Sequence, residues 1–182
     1  MRKIFLFDIT ASFALAAALL TPHTAAQALP TVGQAAPAFT LTSQSGTPVS
    51  LASMHGKWVV VFFYPAATEE DSADEAQSFQ DDLPDYEEKD SVVVGISLDT
   101  PQAQKAFAAQ AGISFALLSD PNGSVAKSYG SLGTLNGAPA ANRNTFLIDP
   151  TGNIAKVWTD VAAATASEAV KGQLSVRPPI TH

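Results

Sequence analysis

Cysteine is absent from all 182 residues. That absence excludes disulfides, thiolate metal sites and every cysteine nucleophile. Histidine is nearly as scarce: His23 sits in an N-terminal apolar segment, His55 in a turn and His182 at the last position. With no G-x-S-x-G either, no Ser-His-Asp triad is expected. Basic residues number 10 against 17 acids, a formal net charge of -7, which argues against nucleic acid or an anionic membrane surface as a partner. Long apolar runs are also missing. The longest clean one, Ile9 to Leu20, is too short to cross a bilayer.

Met1-Arg2-Lys3 opens the chain with positive charge, an apolar segment interrupted by Asp8 follows, and Ala26-Gln27-Ala28 closes it with small residues. That order is the pattern of a secretory leader with an A-x-A cleavage site. The expectation is a leader over residues 1–28, removed on export to a periplasm, an extracellular space or an organelle lumen. One globular domain follows over residues 29–182, a length and an apolar content (46% of the chain) sufficient for a core without disulfides.

Along that domain, LPTVGQAAPAF is an extended lead-in, and FTLTSQSGTPVSL predicts two short strands around Ser45-Gly46. KWVVVFFY and SVVVGISL are near-continuous apolar runs of the kind found in strands buried on both faces. Between them a helix is predicted from Ser72 to Asp82, kinked or restarted at Pro84. Asp99-Thr100-Pro101 caps a second helix that Gly112 closes. FALLSD is a third strand and SVAKSYG a short helix, while SLGTLNGAPAAN reads as a small-residue loop. NTFLID and NIAKVW form a hairpin around Asp149-Pro150-Thr151-Gly152, and a last helix runs from Val161 to Leu174. Alternating strands and helices followed by a hairpin and helix predict an α/β thioredoxin-like fold, a central mixed sheet flanked by helices.

Five blocks, VGQAAPAFTLTSQSGTPVSL, GKWVVVFFYP, VVVGISLDTPQAQKAFA, FALLSDPNGSVAKSYG and NTFLIDPTGNIAKVW, resemble successive blocks of the peroxiredoxins, in order and with similar spacing from about Val32 to Trp158. The branch most resembled is the bacterioferritin comigratory protein, or peroxiredoxin Q, group. The resemblance implies a thiol peroxidase site: P-x-x-x-T-x-x-C plus a distant arginine, with a thiolate that attacks the peroxide O–O bond and is rereduced by thiols or thioredoxin. Aligned without gaps, Pro65 matches the motif proline, Glu69 replaces the threonine and Ser72 the peroxidatic cysteine. Gln77 stands where some members carry a resolving cysteine, and Arg143 matches the site arginine. Sliding by one pairs Thr68 with the threonine, but no shift supplies a cysteine.

Sulfur climbs reversibly to sulfenic acid, and a serine hydroxyl has no comparable oxidation step. Nor can a helix terminus and an arginine bring an alcohol's pKa into the physiological range. Ser72-Ala73-Asp74-Glu75 is also an S-x-x-E capping box, so Ser72 is expected to cap the helix with Glu75 reaching back to it. Arg143 is expected either to pair with Glu69, Asp71 or Glu75, or to hold a small anionic or polar ligand. An Arg143 free of acidic partners would favour the ligand, an acid paired with it a closed site. The acids from Glu69 to Asp90 lack calcium-loop spacing and GSLGTLNG lacks a phosphate-loop lysine, so no cofactor is expected. The sequence thus predicts a non-catalytic family member that binds a partner or small ligand, with a homodimer possible. The alternatives are a peroxidase or other oxidoreductase working without a thiol, and a purely structural or interaction role with the former pocket filled.

Overall fold

The computed structural model describes residues 28–159 and 161–175, so the expected leader falls outside it apart from Ala28. Strand β1 (Thr40–Ser43) turns through Gly46 into β2 (Pro48–Ser50). The sheet then builds through β3 (Trp58–Phe63), β4 (Ser91–Ser97), β5 (Ala116–Ser119), β8 (Asn144–Ile148) and β9 (Ile154–Thr159). Its spatial order is β2-β1-β5-β4-β3-β8-β9. Strands β3, β4 and β5 are parallel, whereas β8 pairs antiparallel with both β3 and β9. Helices α1 (Glu70–Asp81), α2 (Leu83–Glu88), α3 (Pro101–Ala111), α4 (Ser124–Ser128) and α5 (Ala166–Ser175) cover the faces. This is the thioredoxin-like mixed sheet that the alternation predicts.

Alternation within β3 explains its unbroken apolar run. Val60 and Phe62 point to one face, where Phe79 of α1, Tyr86 of α2, Phe107 of α3 and Val170 of α5 meet them. Val59, Val61 and Phe63 point to the other, against Val125, Tyr129 and Phe146. Both sets are essentially free of solvent, so a polar residue on either face would be buried without a partner. Gly95 marks how tightly the centre is filled. A Cβ there would lie 2.7 Å from Phe62 Cζ and 2.9 Å from Leu117 Cδ2. Gly95→Ala is therefore expected to lose about 1–3 kcal/mol by overpacking, read as a lower midpoint in urea unfolding.

Three elements differ from the sequence reading. Helix α1 begins at Glu70, two residues before Ser72, because Ser72, Glu75, Ala76 and Phe79 form one buried stripe at helical spacing and are presented together. The small-residue stretch after Ser131 is a hairpin rather than a loop: β6 (Leu132–Leu135) and β7 (Ala138–Ala141) pair antiparallel. Asn136 and Gly137, both at positive φ, make the tight turn. The last helical segment opens as a short 3-10 turn over Ala163–Thr165, and the α-helix proper starts at Ala166.

Candidate functional site

The C-terminal end of β3 delivers the chain into Tyr64-Pro65 and then the loop to Glu69 that precedes α1. Asp99, just past β4, holds this loop. Its Oδ2 accepts from the Ala67 N–H at 2.8 Å and from the Ser97 hydroxyl at 2.8 Å. Ser119 at the end of β5 donates to the Asp99 carbonyl at 2.6 Å. Gln104 of α3 donates from Nε2 to Ser97 Oγ at 3.0 Å and to the Leu118 carbonyl at 2.7 Å. Tyr64 lies against this cluster fully buried, its hydroxyl closing no hydrogen bond, and burial pushes its pKa well above the usual phenol value. The sequence reading used Asp99 only as the start of a helix cap. Thr100 fills that cap, accepting from the Ala103 N–H, and leaves the Asp99 carboxylate to the loop.

Pro65 is half-buried at the start of the loop, and Thr68 is exposed within it. Glu69 is the residue before α1, in extended backbone, and its carbonyl accepts from the Ser72 and Ala73 N–H groups. Its side chain caps nothing. Ser72 does not cap the helix either, which corrects the capping-box expectation. It sits inside the first turn with no solvent exposure, and its Oγ has no hydrogen-bond partner among the described residues. Gln77 lies on the exposed side of α1, turned away from the buried stripe that holds Ser72.

Glu75 does not reach back to the helix start. Fully buried, it turns to Arg143, which precedes β8: Nη1 of Arg143 donates to Glu75 Oε2 at 2.6 Å and to the Asp71 carbonyl at 3.2 Å. Of the three acids expected as possible partners, Glu75 therefore forms the ion pair, Asp71 offers only its backbone, and Glu69 takes no part. Burial pushes the Glu75 carboxyl up to about 7, against the pull of the Arg143 guanidinium. The second oxygen, Oε1, has no hydrogen-bond partner among the described residues. Helix spacing sets Ser72 and Glu75 one turn apart on the same buried stripe, and the Arg143 guanidinium docks on this turn through Glu75 and the Asp71 carbonyl.

The far end of the same helix layer is fastened separately. The Tyr86 hydroxyl donates to the Ser167 carbonyl at 2.9 Å, the Ser167 hydroxyl donates to Asp82 at 2.8 Å, and Lys171 pairs with Asp82 and Asp85. These contacts lock α5 onto α1 and α2. Nothing in the sequence pattern separated these acids from the solvated run around them.

Residues 32–157 match the AhpC/TSA family. The chain is 38% identical to chloroplastic peroxiredoxin Q of Sedum lineare, across 71% of this chain and 69% of that protein. It is 36% identical to alkyl hydroperoxide reductase E of Mycobacterium tuberculosis, across 73% of this chain and 96% of the relative. Among solved structures, peroxidoxin BcpB of Mycobacterium tuberculosis superposes with a TM-score of 0.76 at 31% identity, covering 82% of this chain and 99% of its own. A mutant of PrxQ from Xylella fastidiosa gives a TM-score of 0.77 at 26% identity, covering 81% and 97%.

Proposed function

The chain belongs to the AhpC/TSA family, in its peroxiredoxin Q branch, and on that premise we propose that it is a non-catalytic member that binds a partner or small ligand instead of reducing peroxide. One observation carries the reading: at the peroxidatic position the buried side chain is a hydroxyl, Ser72 Oγ, and no sulfur-bearing cysteine exists elsewhere to replace it. Peroxide reduction needs two electrons from the protein, and the thiolate-to-sulfenate step that supplies them is unavailable. The surroundings also oppose an anion, since Glu69, Glu70 and Asp71 crowd the helix start.

The Glu75–Arg143 pair favours a second reading, in which the former site is closed and the domain works through its outer surface. Under either reading the charged, apolar and small segments of residues 1–28 support export, a proposal that N-terminal sequencing of the secreted or periplasmic product would test.

The test of the main reading is steady-state peroxide consumption by the purified domain with dithiothreitol or thioredoxin as reductant. The expected rate equals the protein-free blank. Turnover above that blank, retained through repeated purification, would make the chain an enzyme with a non-thiol mechanism.

A further inference from the structure

We propose that Ser72, Glu75 and Arg143 form a conditional site for a small monocarboxylate, which binds together with one proton. The inference rests on the ligand-binding reading above and supplies its ligand class and its control. Three unfilled groups lie on the first turns of α1 and on the guanidinium docked against them. Arg143 engages only Nη1; among the described residues nothing accepts from Nη2 or Nε. Ser72 Oγ and Glu75 Oε1, both fully buried, have no hydrogen-bond partner among the described residues. Buried polar atoms nearly always have a partner in the protein, a water or an ion, so each of these has hydrogen-bonding capacity to offer a ligand.

The chemistry of the three groups selects the ligand. The free edge of a guanidinium offers two parallel N–H donors, matched by a planar carboxylate. Ser72 adds a hydroxyl donor beside it. Ionised Glu75 opposes the ligand, both by cancelling Arg143 and by repelling a second carboxylate. Protonated Glu75 does the reverse: Oε1 or Oε2 becomes a donor, and the ligand takes over the guanidinium. The site then exchanges no net charge with solvent, because one proton enters with one anion. A dianion would meet Glu69, Glu70, Asp71 and Asp74 on the flanking turns uncompensated.

Arg143 is the charged group in contact with Glu75 among the described residues. Of the elements packed against α1, α3 carries Lys105, and on α2 and α5 Asp85 and Lys171 are occupied with each other and Asp82, with Glu168 beside them. Burial already holds the Glu75 proton near neutral pH, so the switch lies within reach of ordinary conditions.

Titration calorimetry with sodium formate tests this on the full domain. Between pH 8.5 and pH 6 the apparent dissociation constant should fall about thirtyfold, following a group of pKa about 7. At pH 8.5 the binding heat should vary with the buffer's ionisation enthalpy as uptake of about one proton requires. Glu75→Gln should bind formate at pH 8.5 as tightly as the wild type does at pH 6, with no pH dependence, a gain that only a folded variant can show. Arg143→Met should bind at neither pH. Equal wild-type affinity at both pH values, or no binding by the wild type at pH 6 and by Glu75→Gln, would overturn the proposal. Such a failure leaves the peroxide blank as it stands, whereas peroxide turnover would remove the non-catalytic reading whatever formate does.

Discussion

Ser72→Cys should convert a silent chain into one that consumes peroxide with dithiothreitol, about a hundredfold or more above the blank. That is still modest beside the roughly 10⁶-fold or greater accelerations of dedicated enzymes. The substitution places sulfur where the buried Oγ now sits, in the first turn of α1 and one turn from the residue that holds Arg143. A helix N-terminus and a nearby guanidinium both favour a thiolate. Two features hold the gain down: Glu75 already neutralises much of Arg143, and Glu69, Glu70 and Asp71 place negative charge around the same turn. Adding Glu69→Thr should therefore raise the rate of the cysteine variant by roughly another five- to tenfold, the effect of removing about 1 kcal/mol of repulsion. If the cysteine variant stays at the blank with and without Glu69→Thr, more than a missing sulfur separates this site from a peroxidase.

Phe79→Ala should be the most damaging single truncation in the helix that carries the site. Phe79 is fully buried and stacks on Phe62 with ring centroids 4.8 Å apart, and Tyr86 lies 6.0 Å away on its other flank. Removing the ring forfeits its transfer free energy and leaves a cavity under α1, together about 3–5 kcal/mol. For a domain of this size that corresponds to a drop in Tm of roughly 6–20 °C. Scanning calorimetry reads it directly, and a loss under about 1 kcal/mol would mean that α1 is held by its ends and not by this aromatic contact.

The fold was legible because its signals were redundant. Each buried strand announced itself by an apolar run, and each major turn by glycine, proline or aspartate in a position with a physical reason, as at Gly112, whose φ of 68° closes α3. The sequence reading takes the β6–β7 stretch for a loop although Asn136-Gly137 is a strong turn signal, because each strand is only four residues long and Thr134 is their one β-branched residue among leucine, glycine, alanine and proline. Around Ser72 two local rules competed. The capping box is satisfied in sequence, but the helix starts at Glu70, so Ser72 joins Glu75, Ala76 and Phe79 on the buried stripe and tertiary packing outweighs a cap. Once Ser72 lay inside the helix, Glu75 was free to meet Arg143, 68 positions away. No local pattern could choose among three acids at that distance, nor reveal that Asp99 holds the loop through the Ala67 amide.

On the proposed function, no group at this site gives two electrons to a peroxide. A single-turnover titration tests it most directly: one equivalent of hydrogen peroxide is mixed with the domain, no reductant is added, and the peroxide remaining is measured beside the Ser72→Cys variant. The variant should remove close to one equivalent and the wild type none. Removal of a stoichiometric equivalent by the wild type, with no methionine converted to its sulfoxide, would contradict it, because the electrons would then have come from a donor other than sulfur.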